Sequence, residues 1–324
     1  MFENQFRHKL AAAAAAALLP LGLIACSSSE ESSSGASENG TSEPSKSTLT
    51  FAAIPSEESV SLQSGFANII KLLEQELDVK INYQDANDYA AVIEGQRAGQ
   101  VDIAVYGPFS YVIAADSGVP VKPVSARADS SGNESTYTSR LHVPADSDIA
   151  SIEDVKGKTV CFVDPASTSG FLVPSYGLSE AGIDPENDIT PVMAGGHDAS
   201  LLAMVAGNCE AAFASDKYKT VMEESGQVEK DSIQIVWESD PIPSYPIAAN
   251  TETLGEEMVD SIAQILVEKG NKKGLVEAGI CATEDDCTLP GDYEYGFVAA
   301  RDENYDVIRE ICEATNADAC NQVG

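Results

Sequence analysis

The feature that most constrains the fold is an alternation. Short runs rich in β-branched and aromatic residues take turns with longer runs whose apolar residues recur at helical spacing. Thr48–Ile54, Val79–Tyr83, Val101–Tyr106 and Val121–Ala128 read as strands. Ser56–Leu77, Tyr89–Ala98 and Phe109–Asp116 read as the helices between them; in the first, Phe66, Ile69, Ile70, Leu72, Leu73 and Leu77 recur at helical spacing. Gly99 is placed to end the second. A βαβα order predicts a parallel, doubly wound sheet, whose ligands lie beyond the carboxyl ends of the strands. Those ends are Pro55-Ser56-Glu57, Asp85 to Tyr89 and Tyr106 to Ser110.

The alternation restarts after a polar loop, Ser130–Glu134. Thr136–Val143, Thr159–Val163, Ile189–Met193, Glu210–Ala214 and Ile233–Trp237 read as strands. Asp148–Val155, Phe171–Leu178, Ala199–Ala206, Met258–Lys269 and Tyr305–Cys312 read as helices. Two α/β lobes account for this order. Residues 48–137 open lobe 1, 138–245 form lobe 2, and 246–324 return to lobe 1 with the C-terminal helices. Each lobe is expected to be a mainly parallel sheet flanked by helices, with the two joined by strands near Tyr137 and Tyr245.

The N-terminus precedes this pattern. Arg7, His8 and Lys9 form a basic region, and Leu10–Leu19 is apolar but too short to span a bilayer. Leu23-Ile24-Ala25-Cys26 resembles a bacterial lipobox. Residues 1–25 therefore read as a lipoprotein signal peptide, with Cys26 as the lipidated residue; a plain secretory signal is the alternative. Residues 26–47, rich in Ser, Glu and Gly, read as a disordered tether. The expected place is the outer face of the cell membrane.

Six cysteines remain beyond Cys26, an even number in an exported chain, which predicts three disulfides. Closeness in sequence favours Cys281–Cys287 and Cys312–Cys320, leaving Cys161–Cys209. With three histidines and no paired C-x-x-C, neither a zinc site nor any other metal or cofactor is expected. The formal net charge of −33 argues against nucleic acid and anionic lipid as partners. It also works against an anionic ligand, so local hydrogen bonds would have to overcome the overall field, helped by a Debye length of only ~8 Å at physiological salt.

The segment Asp164 to Pro174 is built for that task. Ser167, Thr168, Ser169 and Gly170 lie between a strand and an apolar helix. The first N–H groups of a helix have no partner within it, and its dipole favours an anion there. The plainer reading is that Ser167 or Thr168 only caps the helix. Four other side chains belong to the candidate site because they stand at ligand-side strand ends or crossovers: Tyr89, Tyr137, His197 and Asp216. The two tyrosines can instead be core aromatics with a wet hydroxyl. Tyr106 either lines the cleft or packs beneath it. Asp198 reads as the N-cap of its helix, and Ser110 as another cap. Asp216 would repel an anion, so it is expected to bond to His197 or a hydroxyl, or to accept a proton from the ligand.

Several of these segments carry a resemblance. Leu49-Thr50-Phe51-Ala52, Asp88 to Gly95, Val101 to Pro108, Asp164 to Pro174 and Gly195-Gly196-His197-Asp198 look like signature segments of phosphonate-, phosphite- and phosphate-binding proteins of ABC importers. The resemblance implies a two-lobed type II periplasmic-binding-protein fold that closes over a small phosphorus oxyanion, with a permease and an ATPase as partners and a monomeric receptor. It implies ligand contacts at Tyr89, Tyr137, Ser167, Thr168, the backbone around Ser169 and Gly170, and His197. Members that take aminoalkylphosphonates have acids where Asp216 and Tyr245 sit. An acid is kept at Asp216, but Tyr245 departs from that pattern, which favours phosphate, phosphite or methylphosphonate.

The rivals are weaker. Ser167, His197 and Asp216 are the residue types of a hydrolase triad, but the segment is not the G-x-S-x-G elbow. The H-E-x-x-H and Walker A patterns are absent, so the chain is expected not to be an enzyme. A receptor for a sulfonate or a thiamine precursor is a further rival, as is an adhesin that borrows the fold. An aromatic content of 6% speaks against a ligand that needs stacking.

Overall fold

Two sheets carry the alternation. The structure, a computed structural model, describes residues 46–54, 62–86, 88–130, 132–290, 295–315 and 317–321. The signal peptide, Cys26, the tether as far as residue 45 and the strand end Pro55-Ser56-Glu57 lie outside the described residues. The first lobe contains β1 (Thr48–Ala53), α1 (Leu62–Leu77), β2 (Lys80–Asp85), α2 (Tyr89–Arg97), β3 (Ile103–Val105), α3 (Pro108–Asp116) and β4 (Val121–Arg127). A short strand, β5 (Thr136–Tyr137), leaves it. The second lobe contains β6 (Ser139–Pro144), β7 (Thr159–Phe162), α4 (Val173–Glu180), β8 (Thr190–Met193), α5 (His197–Val205), β9 (Ala211–Ser215), α6 (Tyr218–Glu224) and β10 (Ile233–Glu238). The chain returns through β11 (Ile242–Pro243) to β12 (Pro246–Asn250), α7 (Thr251–Lys269), α8 (Lys272–Glu277), β13 (Phe297–Val298) and α9 (Asp306–Thr315).

The six-stranded sheet has the order β13-β4-β12-β3-β1-β2, and the five-stranded sheet β10-β6-β9-β7-β8. Parallel pairs join β1 to β2 and β3, and β7 to β8 and β9. The strands that enter each lobe after a crossover, β6 and β12, run against their neighbours. The two crossings meet in a small ribbon, where β5 pairs with β11 and Tyr137 lies opposite Ile242. This is the two-lobed fold, with mixed sheets in which parallel pairing is confined to β2, β1 and β3 and to β8, β7 and β9. The expected strand Thr136–Val143 is broken at Thr138, where the chain passes from the ribbon into lobe 2.

Strand alternation distributes the cores. Leu49, Phe51 and Ala53 face a cluster with Phe66, Leu73 and Ile262, while Ala52 and Ile54 face another with Val92, Tyr106 and Phe109. In lobe 2, Leu141, Val160 and Phe162 pack with Leu178, and Cys161, Ala212 and Ala214 pack with Leu201 and Tyr218. The structure joins Cys161 to Cys209, Cys281 to Cys287 and Cys312 to Cys320. Helix α9 packs against α3 of the first lobe and α4 of the second. No helix among the described residues is long and apolar enough to cross a membrane.

Candidate functional site

Lobe 2 builds a cradle where β7 ends. Asp164 Oδ1 accepts the Ala166 N–H at 2.8 Å, and the chain then coils as a π-helical turn, Thr168–Leu172, before α4. The sequence predicts helix only from Phe171, so the coil starts earlier than expected. Its start is fixed by Ser167, whose Oγ accepts the Gly170 N–H at 3.1 Å and whose carbonyl accepts the Leu172 N–H at 3.1 Å. Single π turns are rare and concentrate at functional sites. Gly170 is required by packing: a Cβ there would run into Val163 Cγ2 and stand 2.8 Å from Ser167 Oγ.

The three cradle hydroxyls are buried but used differently. Ser167 caps the turn. Thr168 Oγ1 accepts the N–H of Phe109, the second residue of α3, at 2.8 Å, which ties the two lobes together. Ser169 Oγ makes no hydrogen bond among the described residues, although its carbonyl accepts from Ser139 Oγ at 2.6 Å. A buried polar group without a partner costs roughly 1–3 kcal/mol, and such groups call for an explanation in function.

His197 reaches the same region from β8. Gly195 takes a φ of 87°, a left-handed conformation that favours glycine, and its N–H bonds to the Val163 carbonyl at 2.7 Å. Gly196 then caps α5, and His197 is its first residue. Asp198, expected as the cap, instead accepts the Ala199 N–H within the first turn at 2.8 Å. His197 Nδ1 accepts the Ser215 N–H at 3.1 Å, so in the neutral ring the proton sits on Nε2 and makes it a donor. The ring is fully buried and stacks on Tyr218, with centroids 4.7 Å apart. Ser215 lies opposite Ser139 across the β6–β9 pair, which links His197 to the cradle through two serines.

The hinge supplies aromatic rings. Tyr137 on β5 and Tyr245 just before β12 stack at 4.6 Å with 26° between their planes. Tyr89 opens α2, whose cap is Asp88, and packs in the same buried cluster as Tyr137 and Tyr245. Val163 and Leu172, which flank the cradle, belong to the same buried cluster as Tyr89, Tyr137 and Tyr245.

Two further expected site residues have protein partners: Tyr106 within lobe 1, and Asp216 at a hydroxyl, one of the partners expected for it. The Tyr106 hydroxyl donates to Gln96 Oε1 at 2.9 Å inside lobe 1, and burial drives its pKa far above that of an ordinary phenol. Tyr106 therefore packs beneath the cleft. Asp216 Oδ2 accepts the Thr138 N–H at 3.3 Å and Oδ1 accepts from Ser215 Oγ at 3.3 Å. Its carboxylate thus holds the crossover at Thr138, with a hydroxyl as its other partner. Glu134, expected in a plain polar loop, accepts from Asn304 Nδ2 at 2.6 Å and the Ser244 N–H at 3.2 Å.

The sequence reading missed Lys217, whose Nζ stands 5.5 Å from the Tyr245 ring centroid and 5.7 Å from that of Tyr218. It also missed Tyr218 and the linking pair Ser139 and Ser215. Tyr218 had a signal, since it opens a helix after a strand end as Tyr89 does. Lys217 had none. Two open grooves of about 530 and 790 Å³, lined respectively by Trp237 and Ile311 and by Phe171 and Met193, include none of the cradle hydroxyls.

Residues 51–305 match the family described as ABC transporter, phosphonate, periplasmic substrate-binding protein. Over 323 residues the chain is 39% identical to the phosphate-import protein PhnD of Mycolicibacterium smegmatis, covering 97% of this chain and 98% of that one. It is 31% identical over 227 residues to the phosphonates-binding periplasmic protein of Escherichia coli, covering 68% and 66%. Among solved structures, a binding protein component of an ABC phosphonate transporter from Pseudomonas aeruginosa superposes with a TM-score of 0.69 at 24% identity, covering 83% of this chain and 86% of that one. The chain belongs to the family of periplasmic substrate-binding proteins of ABC phosphonate transporters.

Proposed function

We propose that this chain captures phosphate, or an oxyanion of similar size such as phosphite or methylphosphonate, and presents it to an ABC permease and its ATPase. The observation that carries this reading is the buried Ser169 hydroxyl, which has no partner among the described residues, set on a turn whose first N–H groups have none within it. The His197 Nε2–H adds a donor, and Tyr89, Tyr137 and Tyr245 add phenols from the first lobe and the hinge. A tetrahedral oxyanion has acceptor lone pairs for such donors, and charge-assisted bonds are shorter and stronger than neutral ones. The 39% identity to a protein named for phosphate import supports phosphate first.

The reading also accounts for the hinge. The β5–β11 ribbon is where the lobes would rotate, and the Thr168–Phe109 bond is a contact that opening would break. Closure over the anion expels water and strengthens the hydrogen bonds that hold it. A lipid on Cys26 would keep the receptor on the outer face of the membrane, with residues 26–47 as its tether. A hydrolase is a poorer fit. The Ser167 hydroxyl accepts from Gly170, and His197 Nδ1 accepts a backbone N–H where a triad needs a carboxylate. An aminoalkylphosphonate receptor is also a poorer fit, because Asp216 is engaged at Thr138 and Ser215.

Titration calorimetry of the ligand-free domain from residue 48 onward tests the proposal, with phosphate, phosphite, methylphosphonate, 2-aminoethylphosphonate and sulfate. Tight binding of one of the first three, lost in Thr168→Ala and His197→Ala, is the expected result. Silence across the panel would remove the oxyanion assignment and leave the fold.

A further inference from the structure

We propose that Glu134 is a positioning residue for lobe closure: it holds three chain segments together at the lobe 1 end of the hinge, favours the closed arrangement and so raises the affinity for whatever is caught between the lobes. The inference rests on the capture reading above and names a residue outside the cradle on which that capture depends. Glu134 lies just before β5, is half-buried, and uses both of its carboxylate oxygens. Oε1 accepts the N–H of Ser244, in the second crossing between β11 and β12, at 3.2 Å. Oε2 accepts from Nδ2 of Asn304 at 2.6 Å, in the turn Asp302–Tyr305 that leads into α9. Helix α9 is tied to lobe 1 by Arg309, which bonds to Asp116 of α3 at 2.9 Å, and it packs against α4 of lobe 2. One carboxylate therefore joins three segments that span the lobes: the entry to β5, the exit from β11 and the start of α9.

The lobe 2 end of the ribbon is fastened separately. Asp216 accepts the Thr138 N–H, the Ser139 N–H donates to Ser239 Oγ at 2.9 Å, and the Ser239 N–H donates to the Ser139 carbonyl at 2.9 Å. Bending then falls on the short β5–β11 ribbon between the two fastenings. The Glu134 bonds are made while Thr168 and Phe109 join the lobes. Bonds made better in this arrangement than in the open one shift the population toward it. Apparent affinity scales with the fraction of receptor already in the binding-competent arrangement, so loss of these bonds weakens every ligand by one common factor. A carboxylate suits the position because it offers an acceptor to each of two donors, whereas an amide of the same size turns its own NH2 toward one of them.

The test is calorimetry with phosphate, phosphite and methylphosphonate on the wild type, Glu134→Gln, Asn304→Asp and the double variant, each checked by thermal melting without ligand. Glu134→Gln should weaken every ligand that the wild type binds by the same factor, roughly threefold to thirtyfold. Removing a negative charge would by itself favour an anion, so the expected loss has the opposite sign to the electrostatic effect. The double variant should regain most of the affinity. The introduced amide can donate to the introduced carboxylate while its carbonyl keeps the Ser244 N–H, and the other carboxylate oxygen keeps the Arg301 N–H. Unchanged affinity in folded Glu134→Gln, a loss that differs between ligands, or a double variant no better than Glu134→Gln would overturn the role of Glu134 and leave the oxyanion site standing. A wild type that binds none of the three would overturn both readings.

Discussion

In lobe 1 the buried Asp102 carboxylate accepts from Lys46 Nζ at 2.6 and 2.8 Å, from the Thr50 N–H at 2.8 Å and from Thr253 Oγ1 at 2.7 Å. In lobe 2 the Ser169 hydroxyl is as fully buried and makes no hydrogen bond among the described residues. Asp102 stands just before the amino end of β3, and Ser169 lies on the turn that follows the carboxyl end of β7. Asp102 fastens β1, α7 and the segment before β1 together, and a satisfied network of this kind rigidifies a fold. Among the described residues Ser169 fastens nothing with its side chain, yet its carbonyl is held by Ser139. The contrast separates polar groups buried for stability from one held ready for a partner. Ser125 on β4 and Ser244 in the hinge also bury hydroxyls without partners among the described residues, so burial alone does not mark the site. Ser169 differs in lying on the π turn with two other candidate contacts, Thr168 and Gly170, directly after the capping Ser167.

The largest expected effect lies on the structural side. Asp102→Ala leaves Lys46, Thr50 and Thr253 without their acceptor and should lower the unfolding free energy by roughly 3–5 kcal/mol. Denaturant unfolding measures this. Ligand affinity of the folded fraction should stay at the wild-type value, and a parallel loss of affinity would break the separation.

A smaller effect comes from His142 on β6, whose neighbours Leu141 and Val143 face the other side of the sheet. Burial pulls its pKa down to about 4. The unfolded chain takes up this proton near the ordinary value of 6.5 and the folded chain only near 4, so stability is complete above 6.5 and falls as pH drops toward 4. The loss should reach roughly 3 kcal/mol, read as the difference between urea unfolding at neutral and acid pH. His142→Leu should flatten that difference. If acid also weakened the ligand through His142, stability and binding would share a group that the comparison keeps apart.

Gly170→Ala sharpens the comparison because it should damage both properties. The added methyl meets Val163 and Ser167, so the turn must shift, at a cost of roughly 1–3 kcal/mol. Calorimetry and unfolding on one preparation should show both losses, and an intact site in this variant would mean that the turn is not what holds the ligand.

The alternation of strands and helices, the restart after Glu134 and the crossings near Tyr137 and Tyr245 were legible because burial on two faces imposes a period on the sequence. So was the strand–hydroxyl–helix position of Ser167 to Gly170. The π turn was not, since a bond reaching one residue further leaves no mark in the order of Thr168 to Leu172. Tyr106 was ambiguous because a phenol at a strand end reads alike whether it faces the cleft or Gln96. Gly196 took the cap from Asp198 because the extended backbone at Gly196, not the acid, ends the turn after β8. Lys217 gained its place only through rings contributed by α6 and the hinge, which sequence distance hides.

The smallest expected change in stability gives the sharpest test. Ser169→Ala should melt no lower than the wild type without ligand, since it removes a buried hydroxyl that bonds to nothing described. Its affinity for phosphate should fall by roughly tenfold to a hundredfold, the worth of one hydrogen bond to a charged ligand. A variant that melts lower and binds as the wild type does would contradict this, and would make Ser169 a structural residue like Asp102.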